Sequence, residues 1–198
     1  MKIIGLTGGI ATGKSTVSKM LIERGYSIID ADAVVHELQA KGSPLLCEIV
    51  NEFGSTILHN DGSLNRGELG KIIFGNVDAR AKLDGIVHPA VRTEFESRIQ
   101  MSKDDVLFLD VPLLFEAAFD DMTDMNLVIS AKEEVQLARL LMRDGLLKKE
   151  AQARISSQMT MSDKIARADF VIDNSGRVCE LVKKVDGFLD ELKFLQKN

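Results

Sequence analysis

Residues Gly8, Gly9, Ile10, Ala11, Thr12, Gly13, Lys14, Ser15 and Thr16 fit the spacing G-x-x-x-x-G-K-[ST]. Residue types in that order can grip a chain of phosphates. Gly8 and Gly13 allow positive φ and let the backbone close on a ligand without a Cβ in the way. Successive N–H groups and a helix N-terminus then offer partial positive charge to phosphate oxygens. Lys14 is placed to reach β- and γ-phosphates, and the Ser15 hydroxyl to complete a Mg²⁺ shell. The expected ligand is a nucleoside triphosphate, with Gly8, Gly9, Ala11, Thr12, Gly13, Lys14, Ser15 and Thr16 as its contacts.

Other groups could act on that triphosphate. Asp30-Ala31-Asp32 comes directly after an apolar run, and residues two apart in extended chain face one way. One acid would help organise Mg²⁺ or its water; the other, assigned here to Asp32, would accept a proton from an acceptor hydroxyl. The competing reading is that one of them only caps the next helix. Val106-Leu107-Phe108-Leu109-Asp110 is an apolar run ending in an acid, a form suited to supporting Mg²⁺. Arg139 and Arg143, at i and i+4, could clamp a transferring phosphoryl group, or pair with Glu133, Glu134 or Asp144 on a wet face. Asn174 sits where a loop could reach the nucleotide base. Pro112-Leu113-Leu114-Phe115-Glu116 either packs under a neighbouring segment or walls a ligand, in which case Leu113 and Glu116 contact the acceptor. Arg66, His88 and Arg92 are further polar groups to hold in view.

The elements that must position these groups can be read from hydropathy patterning. Short apolar strands at Lys2–Leu6, Ser27–Ile29, Val106–Asp110, Leu127–Ser130 and Phe170–Ile172 alternate with helices at Lys14–Glu23, Glu133–Arg143 and Arg177–Leu195. The pattern predicts a three-layer α/β/α fold of the P-loop NTPase type with a five-stranded parallel sheet. More than 70 residues separate the second and third strands. They carry a Ser43-Pro44 helix start, an Asn60-Asp61-Gly62 turn, and a His88-Pro89 step expected to end one helix and open another. The expected division is residues 1–32 with 104–143 and 168–198 as a nucleotide-binding core, residues 33–103 as a helical acceptor-binding insertion, and residues 144–167 as a lid. The last stretch is polar and poor in bulky apolar groups, so an exposed helical hairpin is the alternative.

The 198 residues are 45% hydrophobic and 28% charged, with a net charge of −5. That balance is globular, and it gives no global basic face for nucleic acid or an anionic membrane. Cys47 and Cys179 have no metal-ligand spacing and are expected to be buried, reduced thiols. With a strand at the N-terminus and no long apolar run, the expectation is a cytoplasmic protein without nucleic-acid or membrane partners, acting as a monomer with at most weak self-association. Two function classes fit: a kinase moving the γ-phosphoryl to a small molecule, and an NTPase switch or motor with water as acceptor. No guanine-reading N-K-x-D segment is present, and paired acids with an acceptor-sized insertion favour a kinase.

The order Gly-Leu-Thr-Gly-Gly-Ile-Ala-Thr-Gly-Lys-Ser-Thr, Asp30-Ala31-Asp32, Phe53-Gly54, Asp61-Gly62-Ser63-Leu64-Asn65-Arg66, His88-Pro89, Pro112 to Glu116, Gln158, Ala168-Asp169 and Asn174 resembles the dephospho-coenzyme A kinase family from residue 1 to about 180. The resemblance implies ATP-dependent phosphorylation of the ribose 3′-hydroxyl of dephospho-coenzyme A, the last step of coenzyme A synthesis, with ATP and Mg²⁺ required. It implies Asp32 as base, Arg139 and Arg143 serving the phosphates from the lid, and Arg66 and His88 on the acceptor side. His36-Glu37 departs from the Ala-Arg pair common in the family, and Ala11-Thr12 from its Gly-Ser.

Overall fold

The computed structural model describes residues 1–197, which divide into two compact units, residues 1–29 with those from 103 onward and residues 30–102. The first unit is built on a sheet of β1 (Lys2–Gly8), β2 (Ser27–Asp30), β3 (Val106–Asp110), β4 (Met125–Ser130) and β5 (Phe170–Asp173). All five strands run parallel, in the order β2-β3-β1-β4-β5. Register pairs Leu6 with Asp110, Gly8 with Ile129 and Ser130 with Asp173, so the strands end together along one edge.

Alternation explains the core. Ile4 and Leu6 of β1, Phe108 of β3, and Leu127 and Ile129 of β4 point to one face. There they meet Val17 and Leu21 of α1 (Lys14–Glu23) and Leu181, Val185, Phe188 and Leu192 of α9 (Val178–Lys197). Phe188 meets Phe170 and Phe108 edge-on, with centroids 5.1 and 6.4 Å apart. Three helices lie between β4 and β5: α6 (Glu133–Asp144), α7 (Lys148–Ser156) and α8 (Met161–Ala166). No helix among the described residues is long and apolar enough to cross a membrane.

The second unit is helical: α2 (Ala31–Leu38), α3 (Pro44–Phe53), α4 (Arg66–Ile73) and α5 (Val77–Met101). Ser43 caps α3 through a bond to Leu46 N–H, with Pro44 at the first turn, as the dipeptide predicts. Asp61 accepts from both the N–H and the hydroxyl of Ser63, which holds its carboxyl below the ordinary range and fixes the predicted turn.

Three features differ from what the sequence predicts, and the turn of the loop falls on a residue that the spacing leaves open. His88-Pro89 does not break a helix, because α5 runs unbroken for 25 residues with Pro89 inside. A mid-helix proline costs about 3 kcal/mol, but Val87, Val91 and Phe95 are buried on either side of it, at roughly 1.5–3 kcal/mol each. Packing wins over propensity. Cys47 and Cys179 are exposed rather than buried, since each falls on the outer stripe of its helix. Gly8 has no positive φ; it ends β1 in extended backbone, and Ala11, at φ 59°, takes the left-handed turn instead. Asp32 lies in the first turn of α2, not in extended chain, so the two-apart spacing gives Asp30 and Asp32 no shared face.

Candidate active site

The predicted loop residues run from the last residue of β1, Gly8, through the turn of residues 9–13 to the first turn of α1. Gly8 is needed for close approach, because a Cβ there would stand 2.6 Å from the Ile129 carbonyl oxygen. Gly13 caps α1 at φ 93°, a conformation only glycine adopts cheaply, and its Cα faces the Asn174 amide. Inside the turn, Thr12 bonds Gly9 O through both its N–H, at 3.3 Å, and its hydroxyl, at 2.9 Å. Helices α2 to α5 all have side-chain caps, from Asp30, Ser43, Asn65 and Asn76. Helix α1 has none and carries no acid in its first turn. Its N-terminal donors and dipole are left for an anion.

Lys14 Nζ bonds Asp110 Oδ1 at the end of β3, and the Ser18 hydroxyl, one turn along α1, bonds Asp110 Oδ2 at 2.6 Å. Asp110 is only 4% exposed, so this pairing fixes where Lys14 can point. Ser15 and Thr16, by contrast, lie toward solvent on the first turn. For Mg²⁺ the donor chemistry fits: a Ser15 hydroxyl and the Asp110 carboxylate are hard oxygen donors of the kind this ion takes one or two of, the rest being water and phosphate. Among the described residues no group of three or more His, Cys, Asp or Glu could hold a metal unaided.

The two arginines of α6 part company. Arg139 reaches the loop, donating to Thr12 O at 3.2 Å, Ala11 O at 3.5 Å and Asn174 O at 2.8 Å. Arg143 is exposed and forms a two-pronged pair with Asp144, at 2.7 and 3.1 Å. That bond keeps the Asp144 carboxyl below its ordinary range and raises the guanidinium. The Asn174 side chain does not lie free for a base; it is buried and donates to Thr12 O at 2.7 Å. Asp173 beside it is held below the usual carboxylate range, first by the Ser175 hydroxyl and further by Lys184.

Leu114 and Phe115 are buried, Leu114 against β1 at Gly5, while Leu113 is half-buried. Glu116 is occupied by Lys164 and by the Met159 N–H. In the second unit, Asp30 caps α2, accepting from Asp32 N–H at 2.8 Å, while Asp32 itself is exposed two residues past β2. Arg66 opens α4 and donates to Gln39, and His88 stands half-exposed on α5, 3.9 Å from Asp84. Glu37, at the departure noted above, pairs with Arg98 of α5.

Sequence reasoning missed Ser18, Gln136 and Lys164. Ser18 was findable as a polar residue on the buried stripe of α1. Gln136, which is buried and bonds Ala131 O, and the wholly buried Lys164 look like surface residues of polar helices.

A sequence model of the family described as Dephospho-CoA kinase matches residues 2–180. The chain belongs to the dephospho-CoA kinase family. It is 49% identical over 179 residues to the dephospho-CoA kinase of Symbiobacterium thermophilum, covering 89% of this chain and 75% of that one. To the dephospho-CoA kinase of Bacillus cereus (strain ATCC 10987) it is 43% identical over 190 residues, covering 94% and 95%. Among solved structures, the dephospho-CoA kinase from Campylobacter jejuni superposes with a TM-score of 0.74 at 28% identity, covering 96% of each chain. Family membership and the loop geometry agree on phosphoryl transfer chemistry.

Proposed function

We infer that this protein transfers the γ-phosphoryl group of ATP to the ribose 3′-hydroxyl of dephospho-CoA, giving CoA and ADP. The observation that carries this reading is the loop from Gly8 to Thr16, with an uncapped helix N-terminus behind it and Lys14 anchored on Asp110. Membership of the dephospho-CoA kinase family supports the choice of acceptor.

Loop N–H groups and Lys14 neutralise the β- and γ-oxygens, and Arg139 stiffens the loop from behind while presenting charge near it. When bound, Mg²⁺ would be held by Ser15 and Asp110 and would offset the charge that grows on the departing phosphate oxygen. Asp32 accepts the 3′-hydroxyl proton as that oxygen bonds to the γ-phosphorus and the bond to the bridging oxygen breaks. Residues 33–103 bind dephospho-CoA, with Arg66 and His88 among the contacts, and Leu113 lines the way in. Residues 144–167 act as a lid that excludes water, and Arg143 takes part only after leaving Asp144.

A coupled ADP assay with dephospho-CoA, adenosine and AMP as rival acceptors tests the assignment. Turnover should be slow with ATP alone and fast with dephospho-CoA only. Equal turnover with AMP or adenosine would make this a different small-molecule kinase, and turnover indifferent to any acceptor would make it an NTPase.

A further inference from the structure

Ala11 holds φ 59° without being glycine, a conformation that persists only where its surroundings over-determine it. On its C-terminal side Arg139 and Asn174 grip the Ala11 and Thr12 carbonyls. On its N-terminal side the grip comes from far along the chain: Ile10 N–H donates to Gln158 Oε1 at 2.9 Å.

Gln158, between α7 and α8, is in turn secured through its C-terminal neighbours. Met159 N–H donates to Glu116 Oε1 at 3.1 Å, and Lys164 Nζ of α8 lies 2.8 Å from the same carboxylate. Lys164 also reaches Pro112 O at 3.4 Å, which accepts the Thr7 hydroxyl at 3.0 Å. The path runs from the end of β1, through the loop after β3, across α8, and back to the tip of the phosphate loop. Lys164 is 0% exposed, and a lysine is almost never buried that deeply without a charged partner, because desolvating the ammonium is costly. A leucine or methionine would fill the space more cheaply. The charge is needed to fix Glu116, and Glu116 is needed to fix the backbone next to Gln158.

We propose that Gln158 is a positioning residue for ATP: its amide oxygen holds Ile10 N–H and so keeps Ala11 in the turned conformation that aims the loop donors, and the pairing of Glu116 with the buried Lys164 ammonium keeps Gln158 in register. Residues 158–164 are then the anchored foot of the proposed lid, and closure belongs to the part before Gln158. This rests on reading the loop as the ATP site.

The test compares wild type with Q158L, which is close in size but cannot accept a bond, and with E116Q, which keeps an acceptor for Met159 but loses the charge that holds Lys164. Mg²⁺-ATP binding is measured by calorimetry, KM values for ATP and dephospho-CoA by coupled assay, and folding by thermal melt. Losing one hydrogen bond to a backbone donor corresponds to a ratio of roughly 3 to 10. Q158L should therefore weaken ATP binding and raise its KM by roughly 3- to 10-fold, while the KM for dephospho-CoA and the melting curve stay put. E116Q should shift ATP in the same direction, and the double variant should do no worse than Q158L alone, as residues on one path require. Unchanged ATP affinity in Q158L, equal shifts for both substrates, or additive effects in the double variant would overturn the proposal. If wild type itself fails to bind ATP, the loop assignment falls and takes the proposal with it; if wild type binds and Q158L binds equally, the proposal alone falls.

Discussion

Lys14 has three N–H donors and spends one on Asp110, which leaves two for phosphate oxygens. Its carboxylate partner is almost fully buried, so the residue serves both stability and chemistry. K14A should lower kcat/KM for ATP by about 10²–10³-fold, the scale of losing an electrostatic stabiliser of the transferring group. It should also lower the melting temperature, because Asp110 loses the cation that offsets its burial and keeps the Ser18 hydroxyl. Unchanged kinetics would mean the triphosphate is placed wrongly. Asp32 is a different case: it is exposed at the start of a helix whose cap is Asp30. D32N should reduce kcat by roughly 10²–10⁴-fold while ATP affinity measured by calorimetry is unaffected. Near-normal turnover would take Asp32 out of the role of base.

Among the elements, α5 is where sequence and structure diverge most. The proline signal at position 89 is local, whereas the burial of Val87, Val91 and Phe95, on the helix that packs with α2, α3 and α4, is long-range and invisible in a single sequence. If α5 is held only by that packing, P89A should restore an N–H for the Gly85 carbonyl and stabilise the protein by about 1–3 kcal/mol in chemical denaturation. A loss of stability would mean that the proline's effect on helix direction is used in the packing. Helices with local start signals were legible to within a residue or two, as Ser43 and Lys14–Glu23 show, because those signals are chemistry between near neighbours. Strands were legible because a sheet buried on both faces leaves unbroken apolar runs such as Val106–Asp110. The segment from Arg143 to Ala168 was not, because its anchors are polar: a lysine and a glutamine cannot be told from a solvated face until their partners across the fold, a carboxylate, a backbone carbonyl and a backbone N–H, are known.

At the scale of the whole molecule, the strand–turn–helix that carries the loop motif was readable because the motif's spacing is tied to backbone geometry, though not that Ala11 would take its left-handed turn. Roles that depend on tertiary partners were not. Asn174 braces Thr12 and Glu116 holds Lys164, both drawn into bonds that no spacing rule announces, while Arg143 takes the Asp144 pairing that the sequence offers as its alternative. The family match over residues 2–180 carries the acceptor, and the loop carries the donor. These meet in one reaction, so the most direct measurement tracks the phosphoryl group itself. ATP labelled at the γ-phosphate is incubated with the protein, Mg²⁺ and dephospho-CoA, and the products are separated and located by mass and ³¹P resonance. The label should appear as a monoester on the ribose 3′-oxygen, one for each ADP formed, and only with dephospho-CoA present. Label released as inorganic phosphate at the same rate with and without dephospho-CoA would contradict the account.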